Sequence, residues 1–155
     1  EAPSASSPTA AAAAAGAAAV VINGKLAQFA GAGGFNDPDM LLSSTRGAAR
    51  SLGPHQSRTM FAIWAVLAAP LLIGGPISRL DPWDLETYTN GEVLAINQDP
   101  LVTQGGEIAP GVWERELADG GVAILTVGNE DIVLLAGEAY ENGTLRAGWV
   151  LVERY

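Results

Sequence analysis

The stretch from residue 57 to residue 77 limits what this chain can fold into more than any other part of it. Residues 57–69 carry Met60, Phe61, Ile63, Trp64, Val66 and Leu67, which at helical spacing cover most of the circumference. A helix apolar on nearly every side has to be buried on more than one. Ser57 is placed as its N-cap, and Pro70 as its stop because proline has no amide donor and clashes with the preceding turn. Leu71-Leu72-Ile73 then reads as a short strand enclosed on both faces, released into a loop by Gly74-Gly75. The run 61–77 has barely the length of a bilayer span and is broken by Pro70, Gly74, Gly75 and Pro76, so a buried helix and strand are favoured over a membrane segment.

The neighbouring segments extend this into an architecture. Asp81-Pro82-Trp83-Asp84-Leu85-Glu86 has an Asp for the N-cap, a Pro for the first helical position and acids facing the positive end of the helix dipole. Asn90-Gly91 is suited to end that helix in the left-handed conformation. The order helix, strand, helix predicts part of an α/β fold with parallel strands. After Asp99-Pro100 the pattern changes to strands at 111–117, 122–127, 132–135 and 149–152. They are separated by Asp119-Gly120, Gly128-Asn129 and Asn142-Gly143, residues that tolerate positive φ. This predicts a small antiparallel β module over residues 105–155, preceded by an α/β region over 20–104. Residues 1–19, rich in Ala, Ser and Pro with six alanines in a row from Ala10, read as a linker or weak surface helix. They lack the basic start and apolar run of a secretory signal and do not begin with Met, which suggests an internal or processed end.

Charge and composition exclude several chemistries. Seventeen acidic against 8 basic residues give a formal charge of -9, which disfavours the polyanionic backbone of nucleic acid. With no cysteine there is no disulfide, thiolate metal site or cysteine nucleophile. His55, the single histidine, lies between Pro54 and Gln56 without companion ligands and reads as a surface loop residue. The glycine pairs lack the Lys-Ser/Thr continuation of a phosphate loop, and no metal or cofactor is expected. Trp64, Trp83, Trp113 and Trp149 sit in apolar elements and are expected to pack rather than stack on a ligand. Asn142-Gly143-Thr144 fits the glycosylation acceptor pattern.

The segment with most chemical content is Gly33-Gly34-Phe35-Asn36-Asp37-Pro38-Asp39-Met40-Leu41. Two carboxylates one proline apart, if the backbone is extended, point the same way and can face one pocket. Carboxylates accept hydrogen bonds from sugar hydroxyls, and Met40 offers a soft apolar surface to a pyranose face. On the tetrapeptide alone, a turn that caps a following helix is the simpler explanation.

The wider sequence shifts the balance. That segment is followed by Arg58-Thr59-Met60-Phe61-Ala62-Ile63-Trp64-Ala65, by Ala69-Pro70-Leu71-Leu72-Ile73-Gly74, and by Glu92-Val93-Leu94-Ala95-Ile96-Asn97-Gln98-Asp99-Pro100-Leu101. In this order and spacing the four phrases resemble the α-galactosidase and α-N-acetylgalactosaminidase family, over roughly residues 17–127. Val112-Trp113-Glu114-Arg115 is similar to the opening strand of that family's C-terminal β domain. The resemblance implies the last strands and helices of a (β/α)8 TIM barrel, followed by a small antiparallel β module. Residues 33–41 would be the end of the seventh strand and its loop, residues 71–73 the eighth strand, and 97–100 a turn closing the barrel. It implies that Asp39 and Met40 line a galactose pocket, that Asp37 holds the loop from behind, and that Phe35 supplies an aromatic wall where the family has tryptophan. A galactose-containing glycoside is the implied partner, and a secreted or lysosomal/vacuolar location is implied as well.

What the chain lacks follows from the same comparison. A retaining glycosidase needs two carboxyl groups on opposed sides of the scissile bond. The family carries both on earlier barrel strands, whereas the 32 residues before Gly33 contain one acid, Glu1, in unrelated surroundings. Asp37 and Asp39, on one loop, approach a sugar from one side and do not fit those roles. No catalytic residue is therefore assigned, and the chain alone is expected to be inactive. A non-catalytic carbohydrate-binding or structural module derived from the family is the alternative. Two strands cannot close a barrel, so residues 60–67 and 71–73 are expected to leave apolar surface uncovered and to drive self-association or pairing with a complementary barrel fragment.

Overall fold

The structure is a computed structural model that describes residues 25–42, 52–127, 132–138 and 150–154. Residues 1–19, the Gly128-Asn129 and Asn142-Gly143 turns, the glycosylation triplet and Trp149 lie outside the described residues. At its centre is helix α1, Pro54–Val66, flanked by the short helices α2, Pro82–Tyr88, and α3, Gly91–Asn97. A five-stranded antiparallel sheet follows in the order β1 (Gly106–Ala109), β2 (Val112–Glu116), β3 (Gly121–Val127), β4 (Ile132–Glu138), β5 (Val150–Arg154). Every strand pairs with its neighbour in sequence, a meander that needs only short connections.

Helix α1 is capped at Gly53, four residues before the Ser57 expected from the sequence. Pro54 occupies the first turn, where its missing amide costs nothing, and the Gln56 side chain accepts the Gly53 amide at 3.0 Å. Ser57 is thus no cap. It is fully buried, and its hydroxyl donates to Asp84 Oδ1 at 2.6 Å, joining α1 to α2. His55, expected in a loop, is exposed on the first turn of α1.

The nearly all-round apolar helix is buried as its composition demands, but its cover was not foreseen. Met60, Phe61, Trp64, Val66 and Leu67 are all buried, whereas the barrel argument left residues 60–67 open. The cover comes from this chain itself: α1 packs on α2, α3, β2 and β3. The expected enclosed strand at 71–73 is corrected as well. Ile73 makes a single parallel bridge with Leu41, through Leu41 N–H to Leu72 O at 2.7 Å and Gly74 N–H to Leu41 O at 2.9 Å. Leu72 is 53% exposed, so this segment is not enclosed on both faces.

Asn90 does not end α2 in the left-handed region. Its φ is -63°, and its side chain accepts the amides of Glu92 and Val93, capping α3, a helix where the sequence suggested only a turn at its far end. In the sheet, Trp113 and Arg115 alternate onto the buried face of β2, and Val122, Ala123 and Leu125 are buried in β3. Asp119-Gly120 forms the β2–β3 turn as expected, with Gly120 at φ 83°. The sheet meets α1 through Gly105, whose amide donates to Val66 O at 2.9 Å. A Cβ there would lie 2.5 Å from Glu114 O, so only glycine allows this approach.

Arg115 fastens the sheet to the helices. It is 1% exposed, and Nη1 donates to Ala65 O at 2.7 Å near the C-terminus of α1 and to the Ile96 and Asn97 carbonyls at the end of α3. A cation there faces the negative ends of two helix dipoles. Burial lowers the pKa of the guanidinium and the nearby Asp99 carboxylate opposes that shift. No helix among the described residues is long and apolar enough to cross a membrane.

Candidate functional site

The segment 31–42 leads from a tight glycine turn to the Leu41–Ile73 bridge. Gly31 and Gly34 exchange hydrogen bonds of 2.9 and 3.0 Å around Gly33, whose φ is 90°. Phe35 follows and is 53% exposed. It lines a cavity of about 290 Å³ with Ala69, Pro70, Asn97, Asp99 and Arg115, between the helix ends and the sheet.

Asn36 is tied down on both amide hydrogens. Nδ2 donates to Leu26 O at 2.7 Å and to Gln104 Oε1 at 2.8 Å. Pro38 is buried while Asp37 and Asp39 on either side of it are exposed. Asp37 Oδ1 accepts the Asp39 amide at 2.9 Å, an Asx-type contact that holds the loop in shape. Asp39 Oδ1 accepts the Met40 amide at 2.7 Å, leaving acceptor capacity on its exposed carboxylate. The backbone at Asp39 has φ 81°, a region that residues with a Cβ seldom adopt. The extended alternation from which a shared direction for the two acids was expected is therefore broken at Asp39. Met40 is 49% exposed and lies against Gly74, whose notional Cβ would come within 3.1 Å of Met40 Cβ.

Behind the loop stands helix α1. Trp64 is buried, and its indole Nε1 donates to the Asp39 carbonyl at 3.1 Å. The Leu42 amide contacts Met60 Sδ at 3.3 Å, and the Tyr88 hydroxyl donates to Leu42 O at 3.2 Å. Tyr88 also meets Ser57 Oγ at 3.2 Å and packs edge-on against Phe61. Burial is the main reason that the Tyr88 pKa rises to about 12; the Ser57 hydrogen bond works against the rise, and the Asp84 charge adds to it. Asp37, Asp39 and Met40 are thus each exposed, on a loop held by buried residues. Among the described residues there is no cluster of three or more His, Cys, Asp or Glu able to hold a metal ion.

The family model described as Alpha galactosidase A matches residues 18–99, more than half of the chain and including the whole of this loop and its helical support. The chain belongs to the α-galactosidase A family. Among curated members, Alpha-galactosidase 3 of Arabidopsis thaliana is 35% identical over 133 residues, covering 81% of this chain and 28% of the relative. Alpha-galactosidase A of Homo sapiens is 36% identical over 112 residues, covering 70% of this chain and 25% of the relative. The solved structure of the Saccharomyces cerevisiae α-galactosidase with raffinose superposes with a TM-score of 0.60 at 26% identity, over 73% of this chain and 28% of that one. The chain therefore spans about a quarter of the length of the curated relatives it matches.

In this α-galactosidase-family chain, three supporting residues went unnoticed in the sequence. Asn36 was read only as part of the turn, and Trp64 only as packing. Gln104, 68 positions from Asn36, had no local signal at all. The tryptophan was the one that could have been found, because a buried indole N–H needs an acceptor and the neighbouring loop is rich in carbonyls.

Proposed function

We propose that this chain forms one wall of the sugar site of an α-galactosidase-type glycoside hydrolase, whose whole-protein activity is removal of terminal α-linked galactose by a retaining two-carboxylate mechanism. In this role Asp39 accepts hydrogen bonds from sugar hydroxyls and Met40 packs against the ring, while Asp37 shapes the loop. We assign no catalytic residue to the chain. The observation that carries the proposal is the exposed Asp39 carboxylate, in a family-matched loop and on a left-handed backbone braced by Trp64. Asp37 and Asp39 are coupled on the same short loop, the Asp39 amide donating to the Asp37 carboxylate, an arrangement unsuited to attack and protonation on opposed faces of a sugar.

The proposed architecture follows from the Leu41–Ile73 parallel bridge, with α1 as the crossover between its two sides. We take these as the last two strands of a (β/α)8 barrel, residues 20–104 as its C-terminal part, residues 105–155 as the β domain, and residues 1–19 as a separate low-complexity segment. A second copy or a complementary barrel fragment would cover the exposed side of this pair. A galactose-containing glycoside is the proposed partner, and a secreted or lysosomal/vacuolar setting the proposed location.

A graft tests the assignment. Residues 18–99, placed in the matched segment of the Arabidopsis relative, should support hydrolysis of an aryl α-galactoside. Asp39→Ala in that graft should lower kcat/KM by about 10- to 100-fold, the scale of one lost charge-assisted hydrogen bond. Unchanged kcat/KM in an active Asp39→Ala graft would remove Asp39 from the sugar site.

A further inference from the structure

We propose that Trp64 and the Asn36–Gln104 pair are positioning residues that impose the left-handed backbone of Asp39, so that the junction with the β module sets the shape of the 37–40 loop. The proposal deepens the sugar-site assignment by naming what holds that site, and it rests on that assignment only for its functional meaning.

The interior of the loop has little to hold it. Its two inner hydrogen bonds, Asp39 N–H to Asp37 Oδ1 and Met40 N–H to Asp39 Oδ1, join near neighbours and do not fix the loop to the body. A non-glycine residue at φ 81° is unfavourable and persists only where its surroundings over-determine it. The restraint comes from both ends. Upstream, Asn36 spends both amide hydrogens on Leu26 and on Gln104, which is buried. Gln104 in turn is fixed by its neighbour Gly105, bonded to the last residue of α1 and packed too closely against β2 for any side chain. Downstream, Trp64 donates to the carbonyl of Asp39 itself, and Leu41 is held in the bridge. The two anchors converge on one helix: Trp64 and the Val66 carbonyl that receives Gly105 are two residues apart on α1. Moving the junction would therefore move the upstream end of the loop relative to Trp64, and the backbone at Asp39 lies between the two.

NMR on the full 155-residue chain tests this without any sugar. In wild type, a strong intraresidue nuclear Overhauser effect between the Asp39 amide and α protons should report the positive φ, and the Asp39 and Met40 amides should be protected from exchange. Asn36→Ala, Gln104→Leu and Trp64→Phe should each abolish the positive-φ signature and speed exchange of those two amides at least tenfold, with amides of α1 and β3 changing less than twofold. Asn36→Ala and Gln104→Leu together should speed exchange of the Asp39 and Met40 amides no more than Asn36→Ala alone, because the bond that the two residues share is already broken in that variant. Retention of the signature and protection in Asn36→Ala and Gln104→Leu would overturn the proposal even if Trp64→Phe failed to fold, as would equal acceleration throughout the protein. Loss of the Asp39 signature in these variants, combined with an inert Asp39→Ala graft effect, would keep the positioning role and reject the sugar site.

Discussion

Tyr88 joins three segments through one hydroxyl, reaching Ser57 in α1 and the Leu42 carbonyl after the loop from its own place at the end of α2. Its pKa, raised from 10.0 to about 12 chiefly by burial, makes stability depend on alkaline pH. The folded state holds the phenolic proton more tightly than the unfolded chain. Below pH 10 both states are protonated and the stability is intact. As the pH rises from about 10 to about 12 the unfolded chain releases its proton first, so stability falls by roughly 2–3 kcal/mol. The thermal midpoint should drop across this window, and Tyr88→Phe should flatten the drop while costing about 1 kcal/mol at neutral pH. At this scale the sequence was readable where chemistry is local: the Asn-Asp-Pro-Asp run announced a polar loop beside an apolar helix. The positive φ of Asp39 was not readable, because it is imposed by Trp64 and by Asn36 acting through Gln104, distant contacts that leave no trace in the tetrapeptide.

Among the elements, α1 was evident because a helix apolar on most sides admits few alternatives, but both ends were misplaced: it stops at Val66, with Ala68 at φ 52°, before Pro70 is reached. Ser57 resembles a cap in sequence, but Pro54 and the Gln56–Gly53 contact begin the helix a turn earlier. Helix α3 was missed for a different reason. Asn90-Gly91 suits the end of one helix or the start of the next, and two amide bonds to the Asn90 side chain decide for the latter. Strand β1 escaped notice because its largely exposed Gly-Glu-Ile-Ala sequence carries no burial pattern. The contact of the sheet with α1 can be tested at neighbouring glycines. Gly105→Ala would bring a methyl to 2.5 Å from a backbone oxygen and 2.8 Å from Arg115 Cβ, displacing the residue that holds both helix ends. It should cost about 2–3 kcal/mol, typical of an overpacked core, in urea unfolding. Gly106→Ala meets nothing within 4 Å and should change stability by less than about 0.5 kcal/mol.

Among the described residues, the sheet and the short helices α2 and α3 pack on α1, while Leu72 and Met40 are among the large apolar side chains left exposed. Barrel logic applied to sequence alone overstated the exposure, since it counted missing barrel neighbours and not the cover that α2, α3 and the β module provide. Next to the Leu41–Ile73 bridge, Leu72 and Met40 are two large apolar side chains about half exposed. Sedimentation at micromolar concentration should therefore show a shift to larger species as concentration rises, and Leu72→Lys should weaken it. A single monomer boundary throughout would mean that this edge is not adhesive. The proposed function divides the labour, with sugar contacts from this chain and the reacting acids from elsewhere in an α-galactosidase-type enzyme. Incubation of the purified 155-residue chain with an aryl α-galactoside measures that division. No release above the buffer blank is expected, whereas release that is abolished by Asp39→Ala would contradict that division.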